Sequence, residues 1–275
     1  MGTFITLITD FGLADGYVGA LKGVIYSLNP EATIVDISHT IQPQNIRQAA
    51  FVLSTVYPYF PSYTVHLIVV DPGVGTNRRA VILKTPRAHL VAPDNGVLSY
   101  VLEDWPVERL PESQRVKVGG DVSAYAITRS EYWRKPVSNT FHGRDIFAPV
   151  AARLSLGLMA SSLGDKVDVL TAFAVPHPIR SSGGVIGHVQ HIDGFGNLIT
   201  DIRKSDLPPD QSEAIIIFKG RSIHGLSNAY GAGVGPLALF GSSGLLEIAV
   251  AGGSAEDYFQ AEVGDEVTVN SKSGA

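Results

Sequence analysis

Aspartates, arginines and one histidine set among glycines are the residues of this chain best suited to chemistry. The stretch Val69-Val70-Asp71-Pro72-Gly73-Val74-Gly75-Thr76-Asn77-Arg78-Arg79 follows an apolar run from Val65 to Val70, interrupted by His66. Such a run reads as a buried strand of a parallel sheet. Asp71 then stands at the carboxyl end of a strand, which is where open α/β sheets bind ligands. The glycines let a ligand approach the backbone closely. An anion and two cations in one tight loop suit polar chemistry. Taken alone, the loop reads equally well as an Asp-Pro-Gly turn with solvated arginines.

Three more polar clusters fall at expected strand ends. Thr9-Asp10-Phe11-Gly12, with Asp15-Gly16, stands where a dinucleotide-binding fold places its phosphate loop, but the G-x-G-x-x-G pattern is missing and an aspartate leads instead. A carboxylate there suits bidentate bonding to vicinal ribose hydroxyls, or a metal. Asp15 reads as the N-cap of the helix that follows, whereas Asp10 reads as functional. In Asn139-Thr140-Phe141-His142-Gly143-Arg144-Asp145, Asp145 reads as a cap or first-turn acid favoured by the helix dipole. His142 has no such structural duty. A lone histidine is more often structural than catalytic, so His142 needs outside support. His191-Ile192-Asp193-Gly194-Phe195-Gly196-Asn197 is either a hairpin turn or a carboxylate, an aromatic face and an amide offered to a purine or amino-acid ligand.

Metal and serine chemistry lack their usual signatures. The chain has no H-E-x-x-H, no EF-hand loop and no histidine pair at helical spacing, so no metal is expected. G-x-S-x-G is also absent, and Gly241-Ser242-Ser243-Gly244 is only a loose echo of it.

The elements that must position these residues alternate through the first two thirds of the chain. Thr3–Thr9, Thr33–Ile37, Thr64–Val70, Ala80–Lys84 and His89–Ala92 have strand patterns. Helical spacing occurs over Tyr17–Asn29, Ile46–Tyr57 and Asp145–Leu156. This alternation implies an α/β fold, a mostly parallel sheet with helices on both faces. Near Val175-Pro176-His177-Pro178 and Ser181-Ser182-Gly183-Gly184 the texture turns to linker chemistry. Short strand patterns follow at Val185–His191, Leu198–Asp201, Ala214–Phe218, Pro236–Phe240, Leu245–Val250 and Glu266–Val269, with little helix. They suit a smaller C-terminal antiparallel β-barrel-like domain. The expected division is residues 1–178 and 185–275.

Bulk properties narrow the class. With 275 residues, 45% hydrophobic and 17% charged, the chain has the composition of an ordinary globular protein. A formal net charge of −5 argues against a nucleic-acid surface. The absence of cysteine removes disulfides and thiolate chemistry. No apolar run is long enough to span a bilayer, so no membrane partner is expected. The chain enters a strand-like pattern at Phe4 without a secretory leader's charge and apolar regions. Met1-Gly2 with Thr6 formally fits a myristoylation pattern, but Gly2 leads into a core strand and the match reads as chance. The expected location is cytoplasmic.

Six motifs occur in order: Asp10-Phe11-Gly12, Asp71-Pro72-Gly73-Val74-Gly75, Pro93-Asp94-Asn95-Gly96, Phe141-His142-Gly143-Arg144-Asp145, Asp193-Gly194-Phe195-Gly196-Asn197 and Gly241-Ser242-Ser243-Gly244. Together they resemble the adenosine-forming S-adenosyl-L-methionine hydrolases, relatives of the fluorinase and chlorinase enzymes. The resemblance spans nearly the whole chain. It implies a homotrimer whose sites lie between subunits, and hydrolysis of S-adenosyl-L-methionine to adenosine and L-methionine by water attacking ribose C5′. It implies no cofactor, since S-adenosyl-L-methionine is the substrate.

The same resemblance assigns the residues. The water-activating triad falls on Asp71, Arg78 and His142, with Arg78 preferred to Arg79 on spacing. Asp10 matches the ribose-binding aspartate, Asp193 the partner of the methionine amino group and Asn197 the amide near the adenine. Phe195 belongs to the pocket wall. Ser242 matches a serine near the methionine carboxylate; the arginine that follows it in the fluorinase is Ser243 here, which leaves the carboxylate's partners open. The halogenating relatives carry tyrosine where Asp71 stands, and an ionised Asp71 would repel a halide nucleophile. Water is therefore the expected nucleophile, ahead of a 5′-halogenase reading. Two other classes stay in view: a non-catalytic adenosine or S-adenosyl-L-methionine sensor, and a metal-dependent phosphohydrolase built on Asp10, Asp71, Asp94 and His142.

Overall fold

A computed structural model describes residues 4–111, 113–181, 184–207, 214–231 and 234–270. Thr3, Gly2 and the Ser182-Gly183 part of the expected linker lie outside the described residues. The chain forms two compact units, Met1–Val175 and Pro176–Ala275.

The first unit comprises β1 (Phe4–Thr9), α1 (Tyr17–Leu28), β2 (Thr33–Ser38), α2 (Ile46–Val56), β3 (Thr64–Val69), β4 (Ala80–Lys84), β5 (Ala88–Pro93), α3 (Ser99–Leu102), β6 (Glu108–Arg109), β7 (Arg115–Lys117), β8 (Ser123–Ile127), α4 (Ala148–Ser155), α5 (Ala160–Leu163), β9 (Gly164–Val167) and β10 (Val169–Thr171). Its main sheet has the order β2-β1-β3-β5-β4-β8-β9. The first four strands pair in parallel. Beyond β5 the pairing turns antiparallel. Because β1, β3 and β5 run the same way, Asp10, Asp71 and Asp94 follow their carboxyl ends along one rim of the sheet.

Every residue of β3 is buried, Thr64 and His66 included, as expected of a mostly apolar strand covered on both faces. Val65, Leu67 and Val69 pack toward α1 and α4, while Ile68 and Val70 join the core under α2. Helix α1 buries Val18, Leu21 and Ile25, the face its spacing marks. Asp15 does not cap it. Gly16 occupies the cap position without a side-chain bond, which puts Asp15 one residue too early to reach the free N–H groups. Helix α2 is capped by Asn45, whose side chain accepts from the Gln48 N–H at 2.9 Å. Between Ala92 and Asp145 the sequence pattern marks no element, yet the structure places α3, β6, β7 and β8 there. These pieces span only two to five residues, too short for either periodicity to register.

The second unit comprises β11 (Ile179–Ser181), β12 (Gly184–Ile192), β13 (Leu198–Arg203), β14 (Ile215–Phe218), β15 (Arg221–His224), β16 (Gly235–Phe240), β17 (Leu245–Ala251), α6 (Ala255–Phe259) and β18 (Glu266–Asn270). The strands run in the order β15-β14-β18-β12-β13-β17-β16, with every pairing antiparallel. The end strands β15 and β16 lie beside each other. Just past β15, the Ser227 N–H donates to the Ala238 carbonyl at 2.7 Å and nearly closes the sheet into a barrel. Val189, Leu198, Phe218, Ile248 and Val267 fill its interior.

Candidate active site

Asp71 is the second residue beyond β3, and the loop after it folds back on the carboxylate. The Val74 N–H donates to the Asp71 carbonyl at 3.2 Å, and the Thr76 hydroxyl to the Gly73 carbonyl at 2.7 Å. This brings Arg78 over Asp71. The Arg78 Nε–H donates to both carboxylate oxygens, at 3.0 and 2.9 Å, and its Nη2 donates to Oδ2. The same Nη2 lies 2.9 Å from Nδ1 of His142. A guanidinium has only donors, so His142 Nδ1 accepts and the ring proton sits on Nε2. The ion pair is largely dry, with side chains 11% (Arg78) and 5% (Asp71) exposed.

These contacts keep His142 neutral. Burial, followed by the positive charge of Arg78, lowers its pKa below the ordinary histidine value, with Asp71 and Asp145 pulling it back up. At neutral pH the imidazole therefore retains the lone pair that holds Arg78.

Two backbone features bring the loops together. Gly75 has φ +77°, and a Cβ there would lie 2.3 Å from the Asn139 carbonyl oxygen. The Asp71 loop thus rests on the backbone that leads to His142, a contact only glycine permits. Phe141 meanwhile packs edge-on against Phe11 and Tyr17, with ring centroids 5.7 and 5.3 Å away. That cluster fastens the Asp10 loop to the His142 loop.

The expected helix from Asp145 to Leu156 is α-helical only from Ala148. Residues Gly143–Phe147 form a π turn, with the Ala148 N–H reaching the Gly143 carbonyl. Pro149 explains the change. It has no N–H for the Asp145 carbonyl, and its ring crowds that carbonyl. The Arg134 N–H takes the vacated oxygen at 2.8 Å. Asp145 stands in the first turn, as expected of a first-turn acid, but it is not a cap: its fully buried carboxylate accepts from Arg144, Arg134 and the Ser138 N–H.

The adjacent arginines diverge. Arg79 donates through Nε to Asp94 at 2.9 Å and through Nη2 to the Val169 carbonyl at 2.7 Å, while the other Asp94 oxygen accepts from the Thr171 N–H at 2.7 Å. It ties the end of β5 to β10 and has no bond to Asp71. Asp10 accepts from the Gln44 N–H at 2.8 Å. Sequence reasoning overlooked Asn95, whose side-chain amide donates to the Val70 carbonyl at 2.9 Å and steadies the residue before Asp71. Its place in Pro93-Asp94-Asn95-Gly96 was the available signal.

In the second unit, Asp193 to Asn197 form the turn between β12 and β13. Asp193 Oδ1 accepts from the N–H groups of Phe195 and Asn197, both at 2.9 Å, and Oδ2 accepts from the Asn197 side-chain amide at 2.9 Å. The Phe195 ring is 82% exposed, whereas Asn197 is buried. Ser242 is exposed in the β16–β17 turn. Beneath that turn Gly241 sits on buried Glu247, which accepts from the Tyr230 hydroxyl at 2.5 Å. Burial raises the Glu247 pKa, with help from the nearby Asp193 charge.

A parallel-centred α/β unit with a half-buried carboxylate–guanidinium–imidazole cluster, followed in the chain by a barrel-like β unit, suits a protein that acts on a small polar molecule. Residues 5–164 match the family model described as the SAM hydroxide adenosyltransferase N-terminal domain, and residues 187–268 the corresponding C-terminal domain. The chain belongs to the SAM hydroxide adenosyltransferase family. A relative from Salinispora arenicola, named (R)-S-adenosyl-L-methionine hydrolase, is 35% identical over 97% of both chains. The solved structure of an uncharacterized conserved protein from Thermotoga maritima superposes with a TM-score of 0.86 at 37% identity, covering 97% of this chain and 99% of that one. A fluorinase from Actinoplanes sp. is 28% identical over 74% of this chain and 72% of its own.

Proposed function

We propose that this protein hydrolyses S-adenosyl-L-methionine to adenosine and L-methionine, with water attacking ribose C5′. The observation that carries the reading is the single Arg78 nitrogen that bonds both the Asp71 carboxylate and His142 Nδ1.

The leaving group is a sulfonium, so no general acid is needed. A bond forms from the water oxygen to C5′ as the C5′–S bond breaks. Its electron pair goes to sulfur, giving a neutral thioether, and the water loses one proton. Free water has a pKa of about 15.7, and carboxylates titrate near 4. Asp71 cannot hold hydroxide in advance. As the C–O bond forms, however, the attacking oxygen becomes strongly acidic and a carboxylate suffices to take the proton. His142 is unsuited to that step, because Nδ1 already accepts from Arg78 and Nε2 carries hydrogen. Its role is to donate to the water and aim it, while Arg78 fixes both partners.

By family resemblance, Asp10 binds the ribose hydroxyls and Asp193 the methionine amino group. Asn197 serves the adenine, Phe195 the pocket wall and Ser242 the methionine carboxylate. The phosphohydrolase alternative loses ground because Asp71 and Asp94 are each occupied by an arginine. The protein works without a resident cofactor or metal, in the cytoplasm, as a homotrimer. Among the described residues no helix is long and apolar enough to cross a membrane.

The test is chromatography after incubating pure protein with each sulfonium epimer of S-adenosyl-L-methionine, the (R) form first because the relative's name specifies it. Adenosine plus methionine, unaffected by chelator, is expected. Binding without turnover would favour a sensor, and a 5′-halo product with added chloride a halogenase. Light scattering should give three times the 29.3 kDa chain mass.

A further inference from the structure

We propose that Asp145 is a positioning residue of the Asp71–Arg78–His142 site, the fixed point that holds the His142 ring where Arg78 can bond it. The proposal rests on the hydrolase reading of that site.

Asp145 is wholly buried and gathers the chain on both sides of His142. Before it, the Ser138 N–H donates to Oδ2 at 2.8 Å and Arg134 Nη1 to Oδ1 at 3.3 Å. After it, Arg144 donates through Nε to Oδ1 at 2.7 Å and through Nη2 to Oδ2 at 2.9 Å. So held, the Arg144 guanidinium lies 5.0 Å from the centroid of the Phe141 ring, whose edges meet Phe11 and Tyr17. One carboxylate thereby ties the loop that precedes His142 to Arg144 and, through Arg144, to the Phe141 ring beside His142. The π turn begins directly after His142, and such turns are frequently found at functional sites. A buried ion pair is seldom the most stable filling for such a space, but it specifies one geometry.

The experiment compares wild type with Asp145→Asn, which keeps the shape and removes the charge. The amide would present N–H to a site that holds only donors. Three readouts are taken: steady-state kinetics with S-adenosyl-L-methionine, side-chain ¹⁵N NMR of the His142 tautomer, and its titration. Expected are a 10- to 100-fold fall in kcat with KM within about threefold, and loss of the Nε2–H preference. The charged groups facing His142 are Arg78, Asp71 and Asp145. If Asp145 positions the ring, its loss frees His142 from Arg78 and the pKa rises toward the ordinary value. If it acted only through its charge, the pKa would fall further. Wild-type kcat and tautomer in Asp145→Asn, or a falling pKa, would overturn the proposal.

Should Asp145→Asn not fold, Arg144→Gln decides, because it removes the clamp on Phe141 while Asp145 keeps Ser138 and Arg134. It should shift the tautomer and kcat in the same direction by a smaller factor, and wild-type values would overturn the proposal. The NMR readouts do not depend on turnover. Failure of the hydrolase reading, with the wild type releasing no adenosine and methionine, is therefore distinguishable from failure of the positioning role.

Discussion

Replacing Asp71 with asparagine separates the charge of this residue from its shape. In the folded protein the Asp71 and Arg78 side chains are 5% and 11% exposed, so the pair is nearly dry. Removing one member of a buried pair typically costs 3–5 kcal/mol. Asparagine keeps one carbonyl oxygen for Arg78, and Arg78 keeps His142, which places the expected loss near the lower bound, at about 3 kcal/mol. For a domain of this size that corresponds to a drop in Tm of about 10 °C. Hydrolysis should fall at least 100-fold, because no group then takes the proton.

The sharper outcome is selectivity. A halide about 4 Å from an ionised carboxylate, at an effective dielectric near 20, is repelled by about 4 kcal/mol. At about 1.4 kcal/mol per decade, that is a factor of roughly 10³. Asp71→Asn should lift most of this barrier. Incubation with S-adenosyl-L-methionine and chloride should give 5′-chloro-5′-deoxyadenosine from the variant at a larger share of product than from wild type, measured by chromatography with a standard. A variant that hydrolyses at the wild-type rate, or a wild type that chlorinates as readily, would refute the reasoning on charge.

Gly75→Ala should lower kcat at least tenfold while moving Tm by only a few degrees. The left-handed backbone costs alanine about 1 kcal/mol, and the new Cβ, 2.3 Å from the Asn139 oxygen, must part the two loops; kinetics beside a melting curve check this. Arg79→Ala should do the reverse, losing about 3 kcal/mol because the Asp94 side chain is only 4% exposed, with kcat within a few-fold at permissive temperature. Arg78→Ala, by contrast, should abolish turnover. Burial holds the His66 pKa down to about 4, from 6.5 when unfolded. Between those values the unfolded chain binds the extra proton, so stability falls as pH drops, by about 3 kcal/mol in all. Urea titrations at pH 7 and 4.5 should show this slope in wild type and a flatter one in His66→Asn.

How much of this was legible in the sequence depends on the range of the forces involved. The β3 run and the α1 stripe were readable because each is a periodicity within one element. Arg78 and Arg79 were harder to separate, since spacing alone treats neighbours alike. What separates them is register. Ala80 pairs with Pro93 across β4 and β5, which sets Arg79 opposite Asp94, and in extended chain the next residue back points the other way. Asp145 was legible as a first-turn acid, but its ties to Arg134 and Ser138 were not, because they come from tertiary structure. The antiparallel half of the main sheet was also hidden, since β8 and β9 span only five and four residues and are far apart in the chain, with α4 and α5 between them.

At Asp193, where the sequence leaves turn and site open, a count of lone pairs shows that the two are compatible. A carboxylate offers about four acceptor sites. Asp193 spends two on backbone N–H groups and one on Asn197, which holds the turn in shape and leaves one on Oδ2. Asp71 is arranged alike: Arg78 makes one contact to Oδ1 and two to Oδ2, leaving one site on Oδ1. In each case internal donors fix the carboxylate before any ligand arrives, and the spare lone pair faces one direction. An ammonium or a water can take that last place without dismantling the loop, so little reorganisation accompanies binding. Turn formation therefore leaves each carboxylate a directed acceptor, and it does not compete with the ligand role proposed for these loops.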